Sequence, residues 1–384
     1  MKAGERLVIV GGGPGGLAAA RAYRAAGGRA QVALLCGEDE LPYRRPPLTK
    51  TYLRGEESRA ALALEAPAWY AANAVEVHRG LRATALDLDA GAVSIEDGTR
   101  LPFDACVLAT GSEPRRPPFA GAGELPTLRT LGDADRIRSL VGGRGTATVV
   151  GAGFIGCEAA ASLALTGTRV TLVAPGEAPH IDRLGEAAAR RIEGWLEASG
   201  VRLRLGTQVE GVERQNGAWA VRTAAGETLV ADLVLLATGV RPRTELAEGA
   251  GLAPAEGAVQ ADSSMRTSHP AVLVAGDIAA AHNDAAGRRL RVEHWGDARE
   301  HGRIAGETLA GREARWDRPP GFWSTIGERT LKHTSIGDGF DEALVEIDER
   351  DRLVVRYRRG GATVGLLAHG DDEAYAAARE ELRG

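Results

Sequence analysis

The 384-residue sequence predicts an α/β fold, with two similar β-α-β units on parallel sheets and a smaller α+β unit at the C-terminus. Three observations carry that prediction. A strand, a glycine loop, a helix and a second strand occur in order twice, roughly 140 residues apart, which marks an internal duplication rather than an array of small repeats. Glycine is in excess, at 51 residues with no collagen-like period, so many tight turns or close backbone approaches are required. From about Arg315 the alternation of strand and helix stops.

Taken in order, Leu7-Val-Ile-Val10 reads as a buried strand, Gly16 to Ala26 as a helix and Val32-Ala-Leu-Leu35 as the next strand. The second copy places a strand at Thr148-Val-Val150, a helix at Gly156 to Thr166 and a strand at Val170-Thr-Leu-Val173. Each copy continues through a β-rich stretch with a turn, at Val93 to Gly98 and at Trp219 to Gly226. Each then ends in a short strand running into Ala-Thr-Gly, Cys106 to Gly111 and Leu233 to Gly239. Beyond Arg315, strands are expected at Ala343 to Ile347 and Leu353 to Tyr357, before a charged terminal helix. Three domains are expected.

Composition narrows the function. Hydrophobic residues at 44% and charged residues at 26% are ordinary for a globular protein. A net charge of -5 offers no global basic field to nucleic acid or an anionic membrane. Cys36, Cys106 and Cys157 lie far apart with no CxxC, which excludes a disulfide scaffold, a zinc knuckle and a redox dithiol. The 8 histidines show no HxxxH spacing, so no metal site is expected. Lys2 and Arg6 precede an apolar run, but its glycines, Pro14 and the lack of a cleavage context argue against a secretory signal. No apolar stretch reaches the roughly 18 residues of a spanning helix. A cytoplasmic protein without a membrane contact is expected.

The segments Gly11-Gly-Gly-Pro-Gly-Gly16 and Gly151-Ala-Gly-Phe-Ile-Gly156 both fit GxGxxG, and both follow a hydrophobic strand and open a helix. The first Gly allows the sharp turn, the second lets backbone approach a pyrophosphate, and the third lets helix pack on strand. The helix N-terminus adds unpaired N–H groups and a positive dipole end. Two Rossmann-like sites imply two dinucleotides, and a flavin with a nicotinamide is the natural pair. An acid about 20 residues on should bind a ribose; Glu38 fits in the first copy. In the second copy Ala174-Pro175-Gly176 occupies that place and Glu177 is the nearest acid, so NADH against NADPH stays open, with NADH the preferred expectation.

The segment Leu41-Pro-Tyr-Arg-Arg-Pro-Pro-Leu-Thr-Lys50 resembles the LPYxRPPLSK stretch of FAD-dependent ferredoxin reductases of the putidaredoxin reductase and biphenyl dioxygenase reductase type. Apoptosis-inducing factor has the same fold, a glutathione-reductase-like pair of nucleotide domains. The resemblance runs on through Trp69-Tyr70, Leu128-Arg-Thr130, Gly153-Phe-Ile-Gly-Cys-Glu158, Ala275-Gly-Asp277, Val292-Glu-His-Trp295 and Phe322-Trp-Ser324. It implies a discontinuous FAD-binding domain over 1–112 and 236–314, an NAD(P)H-binding domain over 113–235, and a C-terminal domain over 315–384 near the flavin edge. Gly11, Gly13, Pro14, Gly15 and Gly16 then line the FAD pyrophosphate and Glu38 holds the adenosine ribose. Arg45 and Lys50 lie along the flavin end with Pro47 against the ring, and Ala83 contacts adenine through its backbone. Ala109, Thr110, Gly111, Arg129, Gly276 and Asp277 complete the FAD site, and Glu293, His294 and Trp295 sit at the isoalloxazine. On the nicotinamide side the resemblance implies Gly151, Gly153, Phe154, Ile155, Gly156, Glu158, Glu177, Thr238 and Gly239.

The same resemblance implies the catalytic set Lys50, Glu158 and Trp323. Lys50 pairs with Glu158 near flavin N5, hydride arrives from NAD(P)H, and electrons leave singly past Trp323 to an iron–sulfur ferredoxin serving a cytochrome P450 or an oxygenase. Lys50 is one of only 3 lysines, in a chain that otherwise uses Arg. The stretch after Trp323, Ser324-Thr-Ile-Gly-Glu-Arg-Thr-Leu-Lys-His333, departs from the family's Asp-Gln-Tyr-Asp-like continuation, which leaves the acceptor open. A disulfide reductase would need cysteines where this chain has Pro46-Pro47. The remaining alternatives are an NAD(P)H-responsive redox sensor of the apoptosis-inducing-factor type and a reductase of another small acceptor.

Overall fold

Five strands form the first sheet in the order Val272–Val274, Ala105–Leu108, Arg6–Val10, Gln31–Cys36, Val75–Arg79, and every neighbouring pair is parallel. The computed structural model describes residues 1, 4–141, 145–252, 254–337 and 339–384. The three central strands are buried along almost their whole length, as a parallel sheet covered on both faces requires. A second parallel sheet runs Arg202–Arg204, Arg169–Val173, Thr146–Val150, Leu233–Leu236. Each carries a three-stranded antiparallel ribbon, Ala83–Asp87 to Pro102 and Val209–Gln215 to Ala231, so the duplication extends to the β-rich stretches.

The helices after the glycine loops begin two residues earlier than the sequence suggests, at Pro14–Ala25 and Phe154–Leu165. Gly13 and Gly153 are the N-caps, and Pro14 occupies the first turn, where its missing N–H costs no hydrogen bond. The first of these helices packs on Trp295–Leu309 with almost no space between backbones. A Cβ on Gly302 would lie 2.1 Å from the Gly15 carbonyl oxygen, and one on Gly306 would lie 2.3 Å from that of Ala19. That contact, between segments nearly 290 residues apart, brings Trp295 to the mouth of the first glycine loop.

The C-terminal unit is a five-stranded antiparallel sheet, ordered Gly321–Ile326, Arg329–Ser335, Ala362–His369, Arg352–Arg359, Glu342–Glu349. It is larger than the two expected strands. The helix Asp372–Glu381 closes it, with the Asp371 carboxylate accepting from the Ala374 N–H at 2.9 Å as a cap. Among the described residues no helix is long and apolar enough to cross a membrane.

One buried group carries a pH signature. His301, on the helix Trp295–Leu309, has both ring nitrogens buried without a hydrogen-bond partner and meets the Trp316 ring edge-on at 4.3 Å. Burial pushes its pKa down from 6.5 to about 4. The fold therefore favours the neutral ring, while the unfolded chain takes up a proton near pH 6.5. This contribution is complete above that pH and is lost as pH falls towards 4, on the order of 3 kcal/mol in all. His301→Leu should flatten the fall in Tm between pH 6.5 and 4; parallel falls in wild type and variant would remove His301 from the acid limb.

Candidate functional site

Two adjoining cavities, about 300 and 690 Å³, fall in the range of small-molecule sites. The first runs from Gly11–Gly15 past Arg45, Lys50 and Arg129 to Trp295 and Trp323. The second runs from Gly153 and Gly239 to His333 and Tyr357 in the C-terminal sheet. Phe154, Ile155, Arg129, Asp277, Glu293 and His294 line both, so the cavities share a wall.

The glycines of each loop divide by what they face. A Cβ on Gly11 would lie 2.1 Å from the Ala109 carbonyl oxygen, and one on Gly16 would lie 1.9 Å from that of Gly11. In the second loop the equivalent distances are 2.3 Å from Gly151 to Ala237 and 2.0 Å from Gly156 to Gly151. The protein's own backbone requires these four. A Cβ on Gly13 would meet nothing within 4 Å, and one on Gly153 only a single oxygen at 4.0 Å. Both cap a helix that opens at a cavity, so each bare position leaves room at a helix N-terminus, where an anion is favoured.

In the wall of the first cavity the Lys50 ammonium is hydrogen-bonded to the Glu158 carboxylate, and also reaches Pro46 O and Thr49 Oγ1, both at 3.2 Å. Glu158 is 5% exposed. Thr49, which sequence reasoning missed, donates to Glu158 Oε2 at 2.6 Å. Asp277 is held similarly: Ser112 donates to its Oδ2 at 2.5 Å and Arg129 at 3.2 Å. Burial lowers the Arg129 pKa, with Asp277 opposing it. Burial, and then the Asp277 charge, raises that of Glu293.

Several expected residues are placed differently. Arg45 does not accompany Lys50. Its guanidinium bonds Glu38 Oε1 at 2.6 Å and the Arg129 carbonyl at 2.8 Å, while Tyr43 donates to Glu38 Oε2 at 2.6 Å. Glu38 thus lines the first cavity with both oxygens already engaged. Pro47 is buried in the short 3₁₀ turn Pro46–Thr49, and it is Pro46 that faces the cavity. Ala83 is paired in a strand opposite Ile95, and its neighbour Arg82 lines the cavity instead. Glu177 is exposed and outside both cavities, and Gly151 and Gly156 are consumed in packing.

The two Ala-Thr-Gly threonines do something the sequence did not suggest. Thr110 Oγ1 donates to Arg243 O at 2.7 Å and Thr238 Oγ1 to Arg115 O at 2.9 Å. Each hydroxyl therefore fastens the chain segment leaving the other copy, beside the antiparallel pair Ser112–Pro114 and Val240–Pro242. Thr110 also lines the first cavity, whereas Thr238 lines neither. In the wall of the second cavity His180 stacks on Phe154 at 3.8 Å, and Phe322, which lines the first, lies 4.7 Å from Phe154. Burial, and then Arg183, lowers the pKa of His180 to about 3, so this ring is neutral.

Residues 5–302 match the pyridine nucleotide-disulphide oxidoreductase family. The chain belongs to that family. It is an oxidoreductase whose cofactors are FAD and NAD(P)H, in keeping with two glycine cradles that open on a common wall. The chain is 34% identical to putidaredoxin reductase of Pseudomonas putida over 360 residues, covering 90% of this chain and 83% of that protein. It is 33% identical to the biphenyl dioxygenase system ferredoxin–NAD(+) reductase component of Paraburkholderia xenovorans, covering 90% and 84%. The crystal structure of the covalent putidaredoxin reductase–putidaredoxin complex superposes with TM-score 0.94 at 31% identity, over 100% of this chain and 94% of that one.

The disulphide in the family's name has no counterpart in this site. Cys36, Cys106 and Cys157 are buried free thiols, and none lines either cavity. Burial raises the pKa of all three, in Cys36 to about 12, so none is poised as a thiolate.

The glycine analysis is directly testable. Gly13→Ala should retain a Tm within about 2 °C of wild type as apoprotein and lose most of its flavin, because its Cβ enters the cradle alone. Gly16→Ala should be destabilised with or without flavin. Equal flavin content in wild type and Gly13→Ala would show that the pyrophosphate does not lie there.

Proposed function

We propose that the protein is a ferredoxin reductase that passes electrons from NADH through FAD to an iron–sulfur ferredoxin serving a cytochrome P450 or an oxygenase. The observation that carries this reading is the Lys50–Glu158 pair in the wall of the first cavity, with Glu158 buried one helical turn from Phe154, which lines both cavities, and Trp323 exposed at the rim of the first. FAD, when bound, accepts a hydride from a reduced nicotinamide and yields its electrons one at a time. The chain's part is orientation and charge. Lys50 offers a compact ammonium to negative charge developing on a ring, and Glu158 and Thr49 keep it in place. Phe154 and Ile155 form an apolar wall that excludes water from the meeting point.

The assignments follow the two cradles. Gly11, Gly13, Pro14, Glu38, Arg129 and Asp277 take FAD, and Gly153, Phe154, Glu158 and Gly239 take the nicotinamide dinucleotide. Residues 1–112 with 236–314 form the FAD domain, 113–235 the NADH domain and 315–384 the C-terminal domain. NADH is favoured because the place just after the second strand of the second copy holds the buried Ala174, and the adjacent Arg204 is paired with Glu227 at 2.9 Å. The relative from Paraburkholderia xenovorans, a ferredoxin–NAD(+) reductase component, supports the same choice.

Trp323 is 43% exposed, on a strand whose neighbour presents Lys332 opposite it. Such an aromatic at the mouth of a redox site suits a protein acceptor. A relative 31% identical is a rubredoxin–NAD(+) reductase, so the acceptor is a point on which similar proteins differ.

Two measurements test the reading. Anaerobic titration of the yellow protein should bleach the flavin with one equivalent of NADH and not with NADPH. Bleaching by neither would make the second cradle something other than a nicotinamide site. Trp323→Ala should slow ferredoxin reduction roughly tenfold and leave flavin bleaching by NADH at the wild-type rate. The opposite pattern would move Trp323 to the hydride step.

A further inference from the structure

The Lys50–Glu158 pair has a support outside both nucleotide cradles. Glu158 Oε2 takes Lys50 and Thr49, while Oε1 takes the Ser324 hydroxyl at 2.8 Å and the Thr325 backbone N–H at 3.2 Å. Ser324 lies in the C-terminal strand Gly321–Ile326, is 1% exposed and lines neither cavity. It therefore touches the carboxylate and no cofactor space.

The strand and helix match in spacing. Phe154 and Glu158 stand one turn apart on one face of the helix Phe154–Leu165, about 6 Å along its axis. Phe322 and Ser324 stand two residues apart on the inward face of the strand, about 6.7 Å along it. The strand consequently docks at two points, Phe322 on Phe154 at 4.7 Å and Ser324 on Glu158. Trp323, between them, points outward by the alternation of the strand. One strand thus carries an exposed ring at the rim on one face and a grip on the buried carboxylate on the other.

We propose that Ser324 is a positioning residue: by fixing Glu158 Oε1 it sets where the Lys50 ammonium lies, and so tunes hydride transfer from the C-terminal unit. This rests on the nicotinamide-to-flavin reading above. With both carboxylate oxygens held, the group cannot rotate; without the Ser324 hydroxyl, Oε1 keeps only the longer backbone contact. The alternative is that Ser324 merely satisfies a buried acceptor, which would affect stability alone.

Stopped-flow reduction of the FAD-loaded enzyme by NADH separates the two, with Tm measured in parallel. Ser324→Ala should lower the limiting reduction rate about tenfold at half-saturation within about twofold of wild type, and Ser324→Thr should restore it. Dithionite-reduced Ser324→Ala should pass electrons to ferricyanide at the wild-type rate. If Ser324→Ala fails to fold, Ser324→Cys, similar in volume and a weaker donor, should show the same slowing. A wild-type limiting rate in the folded Ala or Cys variant, or no recovery in Ser324→Thr, overturns the proposal. Failure of the functional reading is distinct, because then NADH would not reduce the wild-type flavin at all.

Discussion

The structure depends on backbone pressed against backbone at two matched places. Gly11 backs onto the Ala109 carbonyl and Gly151 onto that of Ala237, each closer than any side chain permits. The contact ties each glycine loop to the Ala-Thr-Gly turn of its own copy, which explains why the two motifs recur together. It also sets the loop at the C-terminal ends of the parallel strands, where the next helix opens with its N–H groups towards the cavity. The same turns then supply Thr110 and Thr238, whose hydroxyls bind the two crossing segments. Loop, turn and crossover are one unit, made twice and linked reciprocally.

The C-terminal sheet is the other half of the site. It shares no pattern with the repeated units, yet it supplies Phe322, Trp323 and His333 to the cavities. The segment that departs from the reductase family's pattern folds as the tight hairpin Gly321–Ile326 to Arg329–Ser335, turning at Gly327 with φ +62°. Positive φ at the first central residue suits the II′ geometry that matches strand twist. The departure therefore changes what surrounds Trp323 while leaving the inward residues of the strand in register with the helix beneath.

Charge is handled locally. Lys50 with Glu158 and Arg129 with Asp277 each place one cation and one carboxylate in a half-enclosed space, with a hydroxyl donating to the same carboxylate oxygen as the cation. Removing one member of such a pair costs more than the pair contributes, because the other is left buried and unmatched. Arg45 and Glu38 follow the same rule at the other end of the first cavity.

By itself the sequence determined the two strand–loop–helix units, the glycines their turns and packing require, the absence of a dithiol and the break near Arg315. These are local properties: a glycine requirement, a hydrophobic run or a missing cysteine is written in adjacent residues. The pairing of Lys50 with Glu158 came from resemblance, since 108 positions separate them. Tertiary structure alone decided that Arg45 turns to Glu38, that Pro46 rather than Pro47 and Arg82 rather than Ala83 face the cavity, and that Thr49 and Ser324 hold Glu158. Those outcomes depend on which way a side chain points once distant strands are in register, and a chain with three lysines and many arginines carries no local mark of its partners.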